Sequence, residues 1–429
     1  MKIVGSLLLL SSLAAAAPAR DALPFIDDDY AKARADALAR HVPLFVDVWA
    51  PWCHSCVFLR SAIFTDPALA REAPRFVWLA IDTERDSNAA VLEKFPISVW
   101  PTLLVIDPAS EAVLLKWIGT ASVPEFVRLL DDGERAARHQ SDAGGADAGL
   151  AAADALAGAG KTSDAANAYH AALARGGSAW AHRDRAAASL VMMHFAAHDR
   201  AECARAAVEL GPSLTRGPAF AQVVTTGLDC ALDDQAPASA RATLEPLVME
   251  ARTRADVSAD DRLACFETLV AARKKAGDAP GAHALATEWW AFVERESSRA
   301  ATPEARASFD SARVLAAIAL DDPARALPGL ARTERELPSD YNAARRIAKI
   351  ELARGFFVKA LDASDRALAL VYGPRRIALL ADRAAILDNL GRGVEARQAR
   401  EQALALFASL PPARAHGYQP IADTIRATH

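Results

Sequence analysis

Two cysteines three residues apart, Cys53 and Cys56 in the stretch APWCHSCVFLR, have the spacing in this chain that most directly permits chemistry. They follow an apolar run from Leu44 to Trp49, so Cys53 falls where a strand passes into a helix. At a helix N-terminus the dipole and free backbone N–H groups stabilise a thiolate, and a second thiol one turn later can resolve a mixed disulfide. Cys53 is the candidate nucleophile and Cys56 the resolving thiol. His54 would lower the thiol pKa further when protonated, or it is a solvent-facing spacer. Two other readings stay open: Cys53, His54 and Cys56 could offer soft ligands to copper or zinc, and the pair could be an inert structural disulfide. A closed zinc site wants four ligands, and no second C-x-x-C or paired-His motif supplies the rest, so no metal is expected.

The elements that must position this pair read off the flanking sequence. The stretch DDDYAKARADALAR has the pattern of an amphipathic helix ending at Arg40, with three acids where the dipole favours them. Pro43 to Trp49 is a nearly continuous apolar run of the kind that forms a strand buried on both faces. Asp66 as N-cap and Pro67 in the first turn start a helix that stops before Pro74, and Phe76 to Ile81 is a second buried strand. A helix over about 87–94 precedes a strand from Thr102 to Ile106, which turns at Asp107-Pro108 into a hairpin with Ala112 to Trp117. Ser122 to Glu125 is a capping box that opens a last helix to about Leu130. Together these elements make one α/β domain over residues 22–133.

At 429 residues the chain is too long for one ordinary core, so two or more domains are expected. Residues 134–149 lose periodicity and gather Gly, Asp, Ser and Ala, which reads as a linker. Over 150–429 strand signals nearly vanish, and Ala-, Leu- and Arg-rich stretches punctuated by Gly or Pro read as helices in series. Ala348, Ala360 and Ala367 recur as Ala384, Ala396 and Ala403, a 36-residue step, and Ala153, Ala165 and Ala172 repeat the internal spacing. Small residues at these points let paired helices approach closely, and the period fits a helix-turn-helix solenoid. The net charge of -5 gives no general attraction to nucleic acid or anionic lipid.

The N-terminus joins Lys2, an apolar stretch from Ile3 into Ala17, and the small triplet Ala17-Pro18-Ala19, which describes a signal peptide over 1–19. The apolar run falls short of the roughly 20 residues that span a bilayer. The expectation is an exported protein, periplasmic, with no membrane anchor after cleavage. Disulfides persist outside the cytosol. Cys203 and Cys230, 27 residues apart, fall on neighbouring helices and could form a structural disulfide that leaves Cys265 odd; alternatively all three are buried apolar residues.

FVDVWAPWCHSC resembles the active-site segment of thioredoxin-like proteins. FPISVWPTLLVID resembles the segment of the same family that carries the cis-proline, with Pro101-Thr102 in the matching place, and Ile118-Gly119 matches the glycine after the final hairpin. The resemblance covers roughly residues 35–132. It implies that Cys53 attacks, Cys56 resolves, Trp52 borders the site, and Pro101 is the cis-proline whose preceding backbone pairs with substrate. It further implies that Asp47 is the buried acid that takes or gives the Cys56 proton, the other reading being a buried hydrogen-bonding acid. Trp78 stands near the place where thioredoxins carry a lysine that tunes this acid, so Asp47 is expected to ionise less easily. Val57 replaces the usual basic residue after the second cysteine, and Trp100 either narrows the substrate range or packs over the site.

The insertion IFTDPALAREAPRFVWLAIDTERD is similar to the electron-carrying periplasmic domain of DsbD-type thiol:disulfide interchange proteins, which favours a reductase or relay. The helical half resembles tetratricopeptide-type repeats, whose concave surfaces hold peptide or protein partners. Trp289-Trp290 is a recognition patch or core. The expectation is an α/β thioredoxin-like domain followed by an all-α helical-repeat domain, acting as an exported thiol:disulfide oxidoreductase on a protein partner without a bound cofactor. Its alternatives are a non-enzymatic adaptor whose C-x-x-C is a static disulfide, and copper handling through Cys53, His54 and Cys56.

Overall fold

The apolar run ahead of Cys53 forms a central strand of a five-stranded sheet in the computed structural model. The structure describes residues 22–138 and 144–427, and the signal-peptide segment expected at 1–19 lies outside them. The N-terminal domain comprises β1 (Phe25–Asp27), α1 (Tyr30–Arg40), β2 (Leu44–Trp49), α2 (His54–Phe58), β3 (Val77–Asp82), α3 (Ala89–Lys94), β4 (Thr102–Ile106), β5 (Val113–Ile118) and α4 (Val123–Ala137). The sheet order is β1-β3-β2-β4-β5; β1, β3 and β2 run parallel, while β4 and β5 pair antiparallel. All but the last residue of β2 are buried, as a strand covered on both faces requires. One face packs Val46, Val48, Leu79 and Leu104 against Ala33 and Ala37 of α1; the other packs Phe45, Trp78, Leu103 and Trp117 with Phe126 of α4.

Three local expectations change. β1 is absent from the sequence reading because three residues are too few to show alternation. The helix expected after Asp66 is a 3-10 segment, Pro67–Arg75, capped by Asp66 through the Ala68 N–H at 2.8 Å; Pro74 lies inside it and has no N–H to give to an α ladder. α4 runs past Leu130 to Ala137 because Gly133 lets it press onto Val105: a Cβ there would lie 2.6 Å from Val105 Cγ2. After Phe58 the chain widens into a π turn, Leu59–Ile63.

The remaining helices are α5 (Ala146–Gly158), α6 (Thr162–Gly176), α7 (Arg183–Ala196), α8 (Arg200–Leu210), α9 (Pro218–Cys230), α10 (Ala238–Ala251), α11 (Ala259–Lys275) and α12 (Ala279–Arg299). They continue as α13 (Pro303–Ala307), α14 (Asp310–Ala319), α15 (Leu327–Glu336), α16 (Tyr341–Ala353), α17 (Phe357–Leu370), α18 (Arg375–Asn389), α19 (Gly393–Ala408), α20 (Pro412–Ala415) and α21 (Gln419–Ala427). α4 and α5 therefore reach into the 134–149 interval from both sides. The alanines that recur at 36-residue steps, Ala348 to Ala403, are all buried between paired helices, and Gly355 and Gly391 turn the chain at positive φ. Among the described residues no helix is long and apolar enough to cross a membrane.

The helices close back on the sheet. The core of the β5 side runs without a break from Trp117 into Leu150, Ala153 and Tyr169. Lys116 Nζ donates to the Ala157 carbonyl at 2.9 Å, and Gly158 lies so close to Val113 that a Cβ would sit 2.3 Å from its Cβ. Gln222 of α9 donates to the Ile118 carbonyl at 2.6 Å, and Asp261 of α11 accepts from the Thr120 hydroxyl. At the other end of the array, Asn342 Nδ2 of α16 donates to the Pro51 carbonyl at 2.9 Å. Arg414 of α20 donates to the carbonyls of Thr83 and Glu84 at 3.1 and 2.9 Å.

Candidate active site

β2 ends at Trp49, and the turn that follows makes Cys53 the N-cap of α2, its Sγ accepting the Cys56 N–H at 3.1 Å. Cys53 and Cys56 are joined as a disulfide, their Cα atoms 5.2 Å apart. Cys53 is 6% exposed and Cys56 0%, so the outer sulfur is the one a partner can reach. Ala50 and the rings of Trp49, Trp52 and Trp100 complete an apolar cluster around the pair. The Trp100–Pro101 peptide is cis. Thr102, next in the chain, pairs with Val48, which sets the Pro101 loop beside the end of β2. The Trp100 ring meets Trp52 edge-on with centroids 5.2 Å apart, and its Nε1 donates to Thr83 Oγ1 at 3.1 Å.

Asp47 lies in the middle of β2, fully buried. Burial pushes its pKa up to about 6, and the neighbouring Arg60 guanidinium opposes the rise. Arg60 Nη1 donates to Asp47 Oδ2 at 3.2 Å, while Oδ1 is buried with no hydrogen-bond partner among the described residues. Trp78, at the place of the family's lysine, is a core residue that donates its indole N–H to the Ala73 carbonyl at 3.0 Å. The cation beside the acid is Arg60, which also lies 4.4 Å from the Trp49 ring centroid. Sequence reasoning missed it because the π turn that carries Arg60 leaves no periodicity signal.

Helical residues contact the segments on either side of the pair. His54 Nδ1 is 3.1 Å from Asp260 Oδ1 of α11. Burial works against protonation of His54, but the charge and hydrogen bond of Asp260, with Glu267 beyond, outweigh it and hold the imidazole above its usual pKa. It is a tethered residue and not a solvent-facing spacer. The short α13 rests on α2. Trp52 is held from two sides: its Nε1 donates to Glu84 Oε1 at 2.7 Å, and the Arg375 guanidinium lies 4.7 Å from its ring centroid. Glu84 also accepts from the Arg375 N–H at 2.7 Å and the Tyr418 hydroxyl at 2.8 Å. Trp52 thereby separates two cavities. One, of about 500 Å³, runs along Ile97, Trp100, Tyr418 and Ile421; the other, of about 660 Å³, opens between α14 and α16. Glu84, Arg375, Asn342 and Asp260 were not legible as site residues, since their contacts join positions some 200 to 300 residues apart along the chain.

Cys203 and Cys230 are bonded across α8 and α9, their Cα atoms 6.0 Å apart. Cys265 of α11 is a free, buried thiol 3.2 Å from Thr225 Oγ1, and burial pushes its pKa up to about 12. Trp289 is buried and Trp290 half-buried against the helical core. Among the described residues no three His, Cys, Asp or Glu side chains converge to hold a metal ion.

Residues 25–108 match a family model described as "Thioredoxin-like". Fold and match together define a thioredoxin-like α/β domain followed by a helical domain, with a C-x-x-C pair at disulfide distance. No curated protein matches the chain. Among solved structures it is similar to "Assembly Chaperone of RpL4 (Acl4) (Residues 1-338)" at 14% identity, covering 66% of this chain and 96% of that one with a TM-score of 0.30. A likeness that distant carries no argument about fold or function.

Proposed function

We propose that this chain is an exported thiol:disulfide oxidoreductase that reduces, or relays electrons to, disulfides of a protein partner held by its helical half. The observation that carries the reading is the Cys53–Cys56 disulfide at the start of α2 in a thioredoxin-like domain, with the first sulfur outermost. In the reductive direction the Cys53 thiolate attacks a partner disulfide; one partner sulfur leaves as thiolate and a Cys53–partner disulfide forms. Cys56, deprotonated by Asp47, then attacks Cys53 Sγ, and the second partner thiolate leaves. Two electrons have passed to the partner, Cys53–Cys56 is oxidised, and an upstream dithiol must restore it. Trp52 and the Trp100-Pro101 segment border the approach. The likeness to DsbD-type domains supports a relay, the buried alanines of the helix pairs support a tetratricopeptide-like partner holder, and the N-terminal segment supports export to the periplasm.

The test is the reduction potential of the pair, measured by equilibration in glutathione buffers with a Cys56→Ser control. A value near or below about -220 mV fits a reductant or relay, and one near about -120 mV makes the protein an oxidant instead. A second reading, an adaptor whose C-x-x-C is a static clip, is favoured by one observation: Cys53 is only 6% exposed. It predicts a pair that stays oxidised throughout the same titration in native buffer.

A further inference from the structure

Two helix faces meet in front of Trp52 and enclose the cavity of about 660 Å³, a volume in the range of sites that bury ligands or side chains. One wall comes from α14, where Val314, Leu315 and Ile318 recur at the three- and four-residue steps of a single face. Ile318 is 48% exposed, an aliphatic side chain facing open space. The other wall comes from α16, where Arg345, Arg346 and Lys349 recur at the same steps. Arg345 is paired with Asp382 at 2.8 Å, but Arg346 and Lys349 form no salt bridge among the described residues. Arg375 adds a fourth cation, and Asp321 is the sole acid in the lining. Holding these cations together has a visible cost: burial first, then the charge of Arg345, disfavours the protonated form of Arg375. A bound anion would relieve it.

The groove is wired to the dithiol. Trp52, next to Cys53 in the chain, forms its end, and Asn342 on the same face of α16 holds the Pro51 carbonyl at 2.9 Å. Arg346 is near enough that its charge opposes protonation of His54. A nucleic-acid strand would satisfy the cations but set its charge against the aliphatic wall. A polypeptide that alternates carboxylates with aliphatic side chains fits both walls.

We propose that this groove docks the partner through an extended segment in which carboxylates and an aliphatic side chain flank the cysteine presented to Cys53. The inference rests on the exchange reading above and adds the chemistry of the partner. The carboxylates meet Arg346 and Lys349, the aliphatic side chain lies on Val314, Leu315 and Ile318, and the cysteine reaches Cys53 past Trp52.

The experiment uses the full chain and two short labelled peptides, one with glutamates and leucine around a central serine, the other with lysines in place of the glutamates. Fluorescence anisotropy should give the acidic peptide an affinity at least about tenfold the higher, falling as salt is added. The double substitution Arg346→Glu with Lys349→Glu should invert the preference, a gain of binding for the lysine peptide that a misfolded variant would not give. Equal binding of the two peptides, or binding of neither, overturns the groove. The same peptides with cysteine as a thionitrobenzoate mixed disulfide are then offered to the Cys56→Ser protein. Attack by Cys53 forms the Cys53–peptide disulfide and releases thionitrobenzoate, which absorbs. Release at one rate from both peptides leaves the exchange reading standing and overturns the groove. Preferential binding of the acidic peptide with no release overturns the exchange reading and leaves the groove standing.

Discussion

At the scale of the residue, the decisive group is Asp47, because it is both buried and able to change charge near neutral pH. The unfolded chain ionises this carboxyl near the ordinary value of 3.8, the folded chain at about 6. Below the lower value both states hold the proton and nothing is lost. As pH rises through the window between the two, the folded state loses stability relative to one with a neutral residue there, by about 3 kcal/mol at about 1.4 kcal/mol per pH unit. Above pH 6 the loss is complete. Asp47→Asn should therefore show no such fall and should be the more stable protein at neutral pH, as read by urea denaturation across the interval. Arg60 is not left alone by the change, since it also reaches Asp27 at 3.3 Å. Catalysis should move the other way: without a proton acceptor for Cys56, release of the mixed disulfide should slow by about a hundredfold, the lower end of general-base effects. A variant that gains stability and keeps its resolving rate would show that Asp47 is only a buried acid.

At the scale of the element, the docking of α5 on β5 fixes the helical array to the sheet, and Gly158 is its tightest point. Replacing a helical glycine by alanine ordinarily gains about 1 kcal/mol. Here the new Cβ would meet Val113 Cβ at 2.3 Å, and forcing a methyl into a packed contact costs about 1–3 kcal/mol. The overlap wins. Gly158→Ala should lower the melting temperature; a variant that melts higher than the parent would sink the account. These elements also mark where the sequence was legible. Cys53, Cys56, Asp47 and Pro101 belong to two short segments whose strand and turn patterns are local, and Ala348 to Ala403 announce themselves because close helix pairs need small buried residues at fixed steps. The π turn carrying Arg60 and the 3-10 segment after Asp66 have no such period. The contacts of Asn342, Arg375 and Arg414 with the dithiol end of the sheet depend on how the whole array curves, which no local pattern encodes.

At the scale of the whole molecule, the helical array comes back onto the segments that carry the disulfide. Asp260 on His54, Asn342 on Pro51, Arg375 on Trp52 and Arg414 on the Thr83–Glu84 backbone come from four helices and converge on the start of α2, the turn before it and the loop after β3. A free thioredoxin-like domain would present its outer sulfur to any disulfide that collides with it. In this chain Cys53 is 6% exposed, and Trp52, its neighbour in the chain, lines two cavities. Selection by access is the prediction, and it is separable from reactivity. In the reduced protein a small alkylating reagent should modify Cys53 much faster than a maleimide carrying a long polymer, although both require the same thiolate. Loosening the cover with Asn342→Ala and Arg414→Met should shrink that difference by about tenfold by raising the open population. The small reagent should keep its pH dependence in the same variant, because the group that titrates has not changed. If the two reagents keep the same ratio of rates in parent and variant, the helical cover does not control access. The narrow exposure of Cys53 then reflects the thioredoxin-like domain alone.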